Sequence, residues 1–432
     1  MIRVDGAWKV LARYGADRWE LVGGTTNLCP SSRILDFSRV PEPFRATMKA
    51  VLFRYLRRGR AGQKRPGPAA LRLTLVNSLP FLRHLVRYQV RCLADVTPEI
   101  SKRYVDACKA ERTKRRGQPL AAASLSQRFS TVEAIHELSQ HTDDPMAAHP
   151  WPGASAYNLA GLTGTDPGPG KGKRRSCKTP LIPDAVFAAL YQAAWQAVQK
   201  GDDLLALRDQ LDAIKVQVRE YTSTSISRVK RRHLDAVGWV GGGEKFEESL
   251  FDLRTACYIV VASLSGCRNH ELAYTQTDAC YCTEDDEGEI YWWLRTRSTK
   301  TDEGHSKWMI PEAAVTALRL MDRWATPYQV MIEAEIATRR DVNPADPEIA
   351  EARRHLAAVF VGMDTKQGHR VRTLSVKAWN YHLKNFAERH GIDWDLTTHQ
   401  FRRKFSNYAA RSRFGDLRYL REHFKHWSMD MT

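Results

Sequence analysis

The sequence predicts a mainly α-helical protein with a small antiparallel sheet, split into a helical first part and a mixed α/β second part. Three observations predict it. Apolar residues recur at spacings of three and four through most of the chain, which is the period of one buried helix face. Two alternating runs, IYWWLRTRST and SKWMIP, flank a turn at 300–304 and read as a β-hairpin. A stretch rich in proline, glycine and basic residues at 164–180 can form neither a helix nor an inner strand. With one domain per ~150 residues as a starting point, 432 residues suit two or three domains.

Taken in order, residues 1–42 form an N-terminal extension with Trp8, Trp19 and Leu21 on short strand-like stretches. A helical domain follows at 43–163. Its first helix, 43–58, carries Phe44, Met48, Val51, Leu52 and Tyr55, and its second, 70–93, carries Leu71, Leu75, Leu79, Leu82 and Leu85. A third, 98–109, opens on Thr97 as N-cap with Pro98 at the first helical position. The fourth, 120–140, buries Leu125, Phe129, Val132, Ile135 and Leu138. Basic runs decorate this bundle: Arg57, Arg58, Arg60, Lys64 and Arg65, then Lys109, Arg112, Lys114, Arg115 and Arg116. Such runs are ordinarily solvated surface, yet here they stand beside the hinge at 164–180, which itself carries Lys171, Lys173, Arg174, Arg175 and Lys178.

The second domain, 181–432, begins with a helix at 182–200. A charged helical insertion spans 201–247, including Arg228, Lys230, Arg231 and Arg232, and a nearly all-apolar helix is expected at 251–264. Cys280 and Cys282 sit on one side of a strand before the hairpin of 289–310. A second helical insertion runs from 327 to 356, and helices return from 375.

Charge narrows the function. The chain holds 66 Lys and Arg against 49 Asp and Glu, a net +17, so a polyanion is the expected partner and nucleic acid the default one. No run approaches the ~20 apolar residues of a membrane span, and the N-terminus lacks an apolar signal core. Secreted and integral-membrane classes are excluded on this reading, and a bacterial cytoplasm or nucleoid is expected. The eight cysteines form no CxxC pair and read as reduced thiols; the Cys280–Cys282 spacing is wrong for zinc, and no metal is expected.

Four short motifs in the second domain carry the chemistry. Ser265-Gly266-Cys267-Arg268-Asn269-His270-Glu271-Leu272 follows the apolar helix; glycine ends that helix, and Arg268 opens another with Glu271 three residues on. Ser298-Thr299-Lys300-Thr301 lies at the hairpin turn. Thr398-His399-Gln400-Phe401-Arg402 places His399 and Arg402 one turn apart on one helix face. Phe424-Lys425-His426-Trp427-Ser428 stands near the end of the sequence.

In this order the motifs resemble those of the tyrosine recombinase (phage integrase) family, over roughly residue 179 to the C-terminus. The resemblance implies a helical core-binding domain at 43–163, a mixed α/β catalytic domain at 181–432, and a candidate arm-type DNA-binding segment at 1–42; the last pattern suits a small structural extension equally. It also implies residue roles. Arg268 and Arg402 would clamp the non-bridging oxygens of a phosphodiester with bidentate, always-charged hydrogen bonds. Lys300 would protonate the leaving 5′ oxygen, with Lys307 on the return strand as the competing lysine. His399 would contact the phosphate or accept the nucleophile's proton, His426 would hydrogen-bond a phosphate oxygen, and Glu271 would brace an arginine or histidine from behind. A tyrosine would attack, leaving a 3′-phosphotyrosine and a free 5′-hydroxyl, with no cofactor and no metal. Lys171, Lys173, Arg174, Arg175, Arg115 and Arg116 are the candidate DNA-binding residues.

The family's tyrosine stands about nine residues beyond the equivalent of His426, which falls past Thr432; Tyr408 and Tyr419 precede His426 and do not occupy that place. The expectation is a chain cut before its nucleophile or one that has naturally lost it, able to bind DNA but not to form the covalent intermediate. The partners implied are double-stranded DNA with specific recombination sites, further copies forming a tetramer around a Holliday junction, and accessory proteins, with no membrane. Two other readings compete: a non-catalytic DNA-binding or regulatory protein on the same scaffold, and a metal-dependent nuclease, against which the lack of clustered carboxylates counts.

Overall fold

Spacings of three and four in the sequence become helices along most of the chain, and the computed structural model describes residues 2–113, 117–162, 179–217, 223–298, 304–364 and 368–412. Contacts divide the chain into two units, Met1–Gly24 with Leu28–Lys178, and Thr25–Asn27 with Thr179–Thr432. Mainly α with small antiparallel sheets is the architecture observed, as expected. Among the described residues no helix is long and apolar enough to cross a membrane.

The first unit opens with two small hairpins. β1 (Ile2–Val4) pairs antiparallel with β2 (Ala7–Lys9) across Asp5 and Gly6, both at positive φ, which a two-residue turn matched to strand twist demands. β3 (Arg18–Glu20) pairs with β4 (Ile34–Asp36), setting Trp19 opposite Leu35. Helices α1 (Arg45–Arg58), α2 (Pro68–Arg87), α3 (Pro98–Ala110), α4 (Ala122–Ser139) and the short α5 (Ala156–Leu159) follow. Thr97 caps α3, its hydroxyl accepting the Ile100 N–H at 3.3 Å. Their apolar faces meet in one core, with Met48, Leu52, Leu79, Leu82, Phe129 and Ile135 buried. Trp19, Leu35 and Phe37 belong to that same core.

The second unit is built around one buried helix. α6 (Asp184–Gln199), α7 (Gly201–Gln217) and α8 (Ser223–Ala236) precede α9 (Gly242–Ser265), which starts nine residues earlier than the apolar run alone suggests. Residues 256–262 of α9 are all buried, packed by α6, α11, α13 and α14, whose ranges follow. After α10 (Asn269–Leu272) comes a three-stranded antiparallel sheet of β5 (Cys280–Glu284), β6 (Ile290–Ser298) and β7 (Gly304–Ile310), with β6 central. Then follow α11 (Glu312–Val342), α12 (Pro347–Arg353), a hairpin of β8 (Val361–Asp364) and β9 (Arg370–Thr373), α13 (Val376–Arg389) and α14 (Thr398–Arg411). Tyr258 of α9 stacks on Trp379 of α13 with centroids 4.0 Å apart, and Phe360 and Phe401 meet it edge-on. Two details depart from expectation. No element boundary falls at Pro327, because α11 runs through it. The β8–β9 hairpin was not anticipated, since four-residue strands leave too little alternation to recognise.

Candidate functional site

The site grows from the end of α9. Gly266 takes the left-handed conformation (φ 65°), its N–H bonding back to the Ala262 carbonyl at 3.2 Å, so the helix stops there at no Cβ cost. Cys267 is buried, with burial pushing its thiol pKa up. The chain turns extended at Arg268, the N-cap of α10. Glu271, at the third position of α10, reaches back to accept the Arg268 N–H at 2.6 Å, the carboxylate half of a capping box. The same carboxylate accepts Arg268 Nη1 at 2.8 Å and Ser298 Oγ, the last residue of β6, at 3.0 Å.

Arg402 arrives from α14. Gln400 Oε1 accepts the Thr397 N–H at 2.8 Å at the start of that helix, and Asn380 of α13 accepts the Thr398 N–H at 3.1 Å. Buried Lys404 ties α14 to the start of α6, donating to the Ile182 carbonyl at 2.7 Å and pairing with Asp184. So held, Arg402 donates to the Gly266 carbonyl at 2.9 Å, lies 4.0 Å from Glu271 and stands 5.9 Å above the Trp308 ring. Gly266 therefore both ends α9 and receives the second arginine.

Two guanidiniums share one carboxylate in a nearly dry pocket; Arg268 and Arg402 side chains are 14% and 7% exposed and Glu271 is fully buried. Burial and the charge of Arg268 push Arg402 down to about 10, so it stays charged at neutral pH. Burial alone would raise the Glu271 carboxyl, but the Arg268 N–H and the charge of the Arg268 guanidinium hold it below its usual value. These three side chains sum to one positive charge, and guanidinium forks bind an oxyanion bidentately. Among the described residues no cluster of three His, Cys, Asp or Glu side chains could hold a metal ion.

The structure thus brings Arg402 from a distant part of the sequence to Arg268 and Glu271. His399 is exposed on the first turn of α14, three residues before Arg402. Lys300 and His426 lie outside the described residues, as do Lys171, Lys173, Arg174, Arg175, Arg115 and Arg116. Lys307 occupies the exposed face of the sheet, its Nζ 5.8 Å from the Tyr281 ring, whereas Ser298 and Trp308 occupy the buried face. Sequence reasoning overlooked three contributors. Ser298 had its signal in the turn motif; Trp308 had one in the alternation of β7, where Ser306, Trp308 and Ile310 all point inward. Lys404 had none, because a buried lysine two residues beyond Arg402 looks like any surface lysine in a basic run.

No protein-family model matches the chain, and no curated protein matches it. Solved structures do. A XerH site-specific recombinase bound to difH substrate, in a pre-cleavage complex, is 10% identical with a TM-score of 0.46, over 84% of this chain and 76% of that one. XerH bound to palindromic difH substrate, in a post-cleavage complex, is 9% identical with a TM-score of 0.48, over 95% and 93%. A Tn1549 transposon integrase in complex with transposon right-end DNA is 12% identical with a TM-score of 0.42, over 88% and 93%. The chain's likenesses among these are thus two complexes of a site-specific recombinase and one of a transposon integrase.

Proposed function

We propose that this chain is a site-specific DNA recombinase of the tyrosine type, whose second unit clamps one backbone phosphate between Arg268 and Arg402. The observation that carries the reading is their meeting on buried Glu271: a carboxylate that aligns two guanidiniums and leaves one positive charge over suits a single phosphodiester. In this mechanism both arginines neutralise charge that builds on the non-bridging oxygens as a tyrosine oxygen attacks phosphorus. Lys300, two residues past the Ser298 hydroxyl that touches Glu271, delivers a proton to the departing 5′ oxygen. His399 and His426 contact the phosphate or take the tyrosine's proton. Strand exchange between four copies then passes through a Holliday junction, and the basic residues of 115–116 and 171–175 lie along duplex phosphates.

A test independent of any protein nucleophile uses duplexes that the full chain selects from a random pool. Each is rebuilt with a nick carrying a 3′-(4-nitrophenyl) phosphate beside a free 5′-hydroxyl. Attack of that hydroxyl on phosphorus breaks the aryl P–O bond, seals the strand and releases 4-nitrophenolate, whose absorbance is followed without divalent metal. The chain is expected to accelerate release, and Arg268→Ala or Arg402→Ala to slow it about 100-fold or more while changing duplex affinity only a few-fold. Release no faster than from the nicked duplex alone, on every selected site, hands the reading to a non-catalytic DNA-binding protein.

A further inference from the structure

A cavity of about 580 Å3 opens within the first unit, against the C-terminal half of α1 and the residues just before α2. Its volume falls in the ~300–1,000 Å3 range of ligand pockets. Three rings line it. Tyr14 and Phe53 meet edge-to-face at 5.4 Å, and Tyr14 lies 5.6 Å from Trp19, whose Nε1 donates to the Tyr14 carbonyl at 3.2 Å and pins the segment. Trp19 is buried, but Tyr14 is 50% and Phe53 45% exposed, so large rings are left open to water where a core would have covered them. Around them stand four exposed arginines, Arg13, Arg57, Arg58 and Arg65, against the single acid Glu20.

Half-exposed aromatic rings bounded by guanidiniums are the chemistry of base stacking joined to phosphate pairing. In a duplex each base is already stacked and paired, so only an unpaired base can reach rings inside a cavity. The remaining lining is largely apolar, with Glu20 as its one carboxylate. We propose that this cavity binds single-stranded DNA, one of the two rings Tyr14 and Phe53 stacking on an unpaired base and the other, set at 81° to it, meeting the base edge-on, while Arg13, Arg57, Arg58 and Arg65 take the flanking phosphates. The proposal stands on the first unit alone and does not use the Arg268–Arg402 pair.

The test is anisotropy of a short labelled oligothymidylate with the full chain, in the presence of excess unlabelled random duplex to occupy duplex-binding surfaces. Binding is expected to persist under the duplex. Tyr14→Ala and Phe53→Ala should each weaken it about tenfold, while Phe53→Tyr, which keeps a ring, restores it and shows that the loss is not misfolding. Arg57→Ala with Arg58→Ala should make the affinity less dependent on salt. The proposal is overturned if both alanine variants bind as the parent does, if excess duplex abolishes binding, if an acidic peptide competes as well as the oligonucleotide, or if the matched oligouridylate binds tighter.

Discussion

Glu271 accepts the backbone N–H of Arg268, one arm of its guanidinium and the Ser298 hydroxyl, and lies within 4.0 Å of Arg402. Removing its charge would leave two guanidiniums facing each other in a dry pocket. Glu271→Gln is therefore expected to cost about 3 kcal/mol or more of stability, the scale for breaking a buried ion pair from one side. The pH dependence has a definite sign. Because the folded carboxyl titrates below its ordinary value, its contribution is full above the unfolded-state pKa and is lost as pH falls through the folded one. Urea unfolding at a series of acid pH values should show the parent losing stability below the usual glutamate range and the Gln variant losing less; parallel profiles would mean that Glu271 carries no such charge. Arg254 shows how context alone separates arginines. It is buried within the run read as nearly all apolar, among the Phe251, Trp324 and Trp379 rings. It donates to the Val361 carbonyl and meets His382 Nε2 at 2.9 Å. Burial, then the charges of Arg254 and Arg389, push His382 down to about 3, so it stays neutral and accepts. In the order of residues, what sets Arg268 apart from this internal strut fourteen positions earlier is the Gly266 before it and the Glu271 beyond it.

The helices read from apolar spacing are found, including the nearly all-apolar one inside α9, while the start of α9 and the continuity of α11 through Pro327 were missed. The Arg268-x-x-Glu271 corner was legible because a glycine stop and a capping carboxylate are local signals. The first turns of α9 were not, since Gly242 and Gly243 resemble a loop. The Asp5–Gly6 turn had a clear local signature that went unread. Pro327 is the instructive case, because a proline in a helix removes one N–H and crowds the carbonyl four residues back. Here that carbonyl belongs to Arg323, and it accepts Arg208 Nη2 of α7 at 3.1 Å; Arg208 Nη1 reaches the next carbonyl, Trp324, also at 3.1 Å. A buried guanidinium from another helix thus replaces what proline took away, which sequence spacing cannot register. Arg208→Ala is expected to cost about 1–3 kcal/mol by leaving the freed Arg323 carbonyl unsatisfied. In a Pro327→Ala background the cost should be smaller by about 1 kcal/mol, since the helix then supplies its own donor. Chemical denaturation of the four proteins of this cycle measures that coupling, and strict additivity would refute the substitution of one donor by the other.

For the molecule as a whole, a net charge of +17 is a statement about partners rather than fold. The family resemblance carried by the four motifs implied that Arg268 and Arg402 meet, though their spacing in sequence says nothing of the Gly266 carbonyl and the Glu271 carboxylate that aim them. If the basic surface follows a duplex, each phosphate neutralised releases counterions, and the logarithm of affinity falls by about 0.9 per phosphate for each tenfold rise in salt. A footprint of six or more phosphates should therefore cost about a thousandfold in affinity between roughly 50 and 200 mM salt. The two arginines make a sharper claim inside that total. If the proposed clamp is right, the two guanidiniums, which converge on one carboxylate, address one phosphate and not two. The Arg268→Ala, Arg402→Ala double variant should lower the salt slope by about one contact and leave the rest of the dependence intact. Anisotropy titrations of the parent and the double variant on one random duplex, across a salt series, decide it. A flat response in the parent would remove the phosphate-lined surface, and a loss of two or more contacts in the double variant would place the arginines on separate phosphates, incompatible with a single clamped phosphodiester.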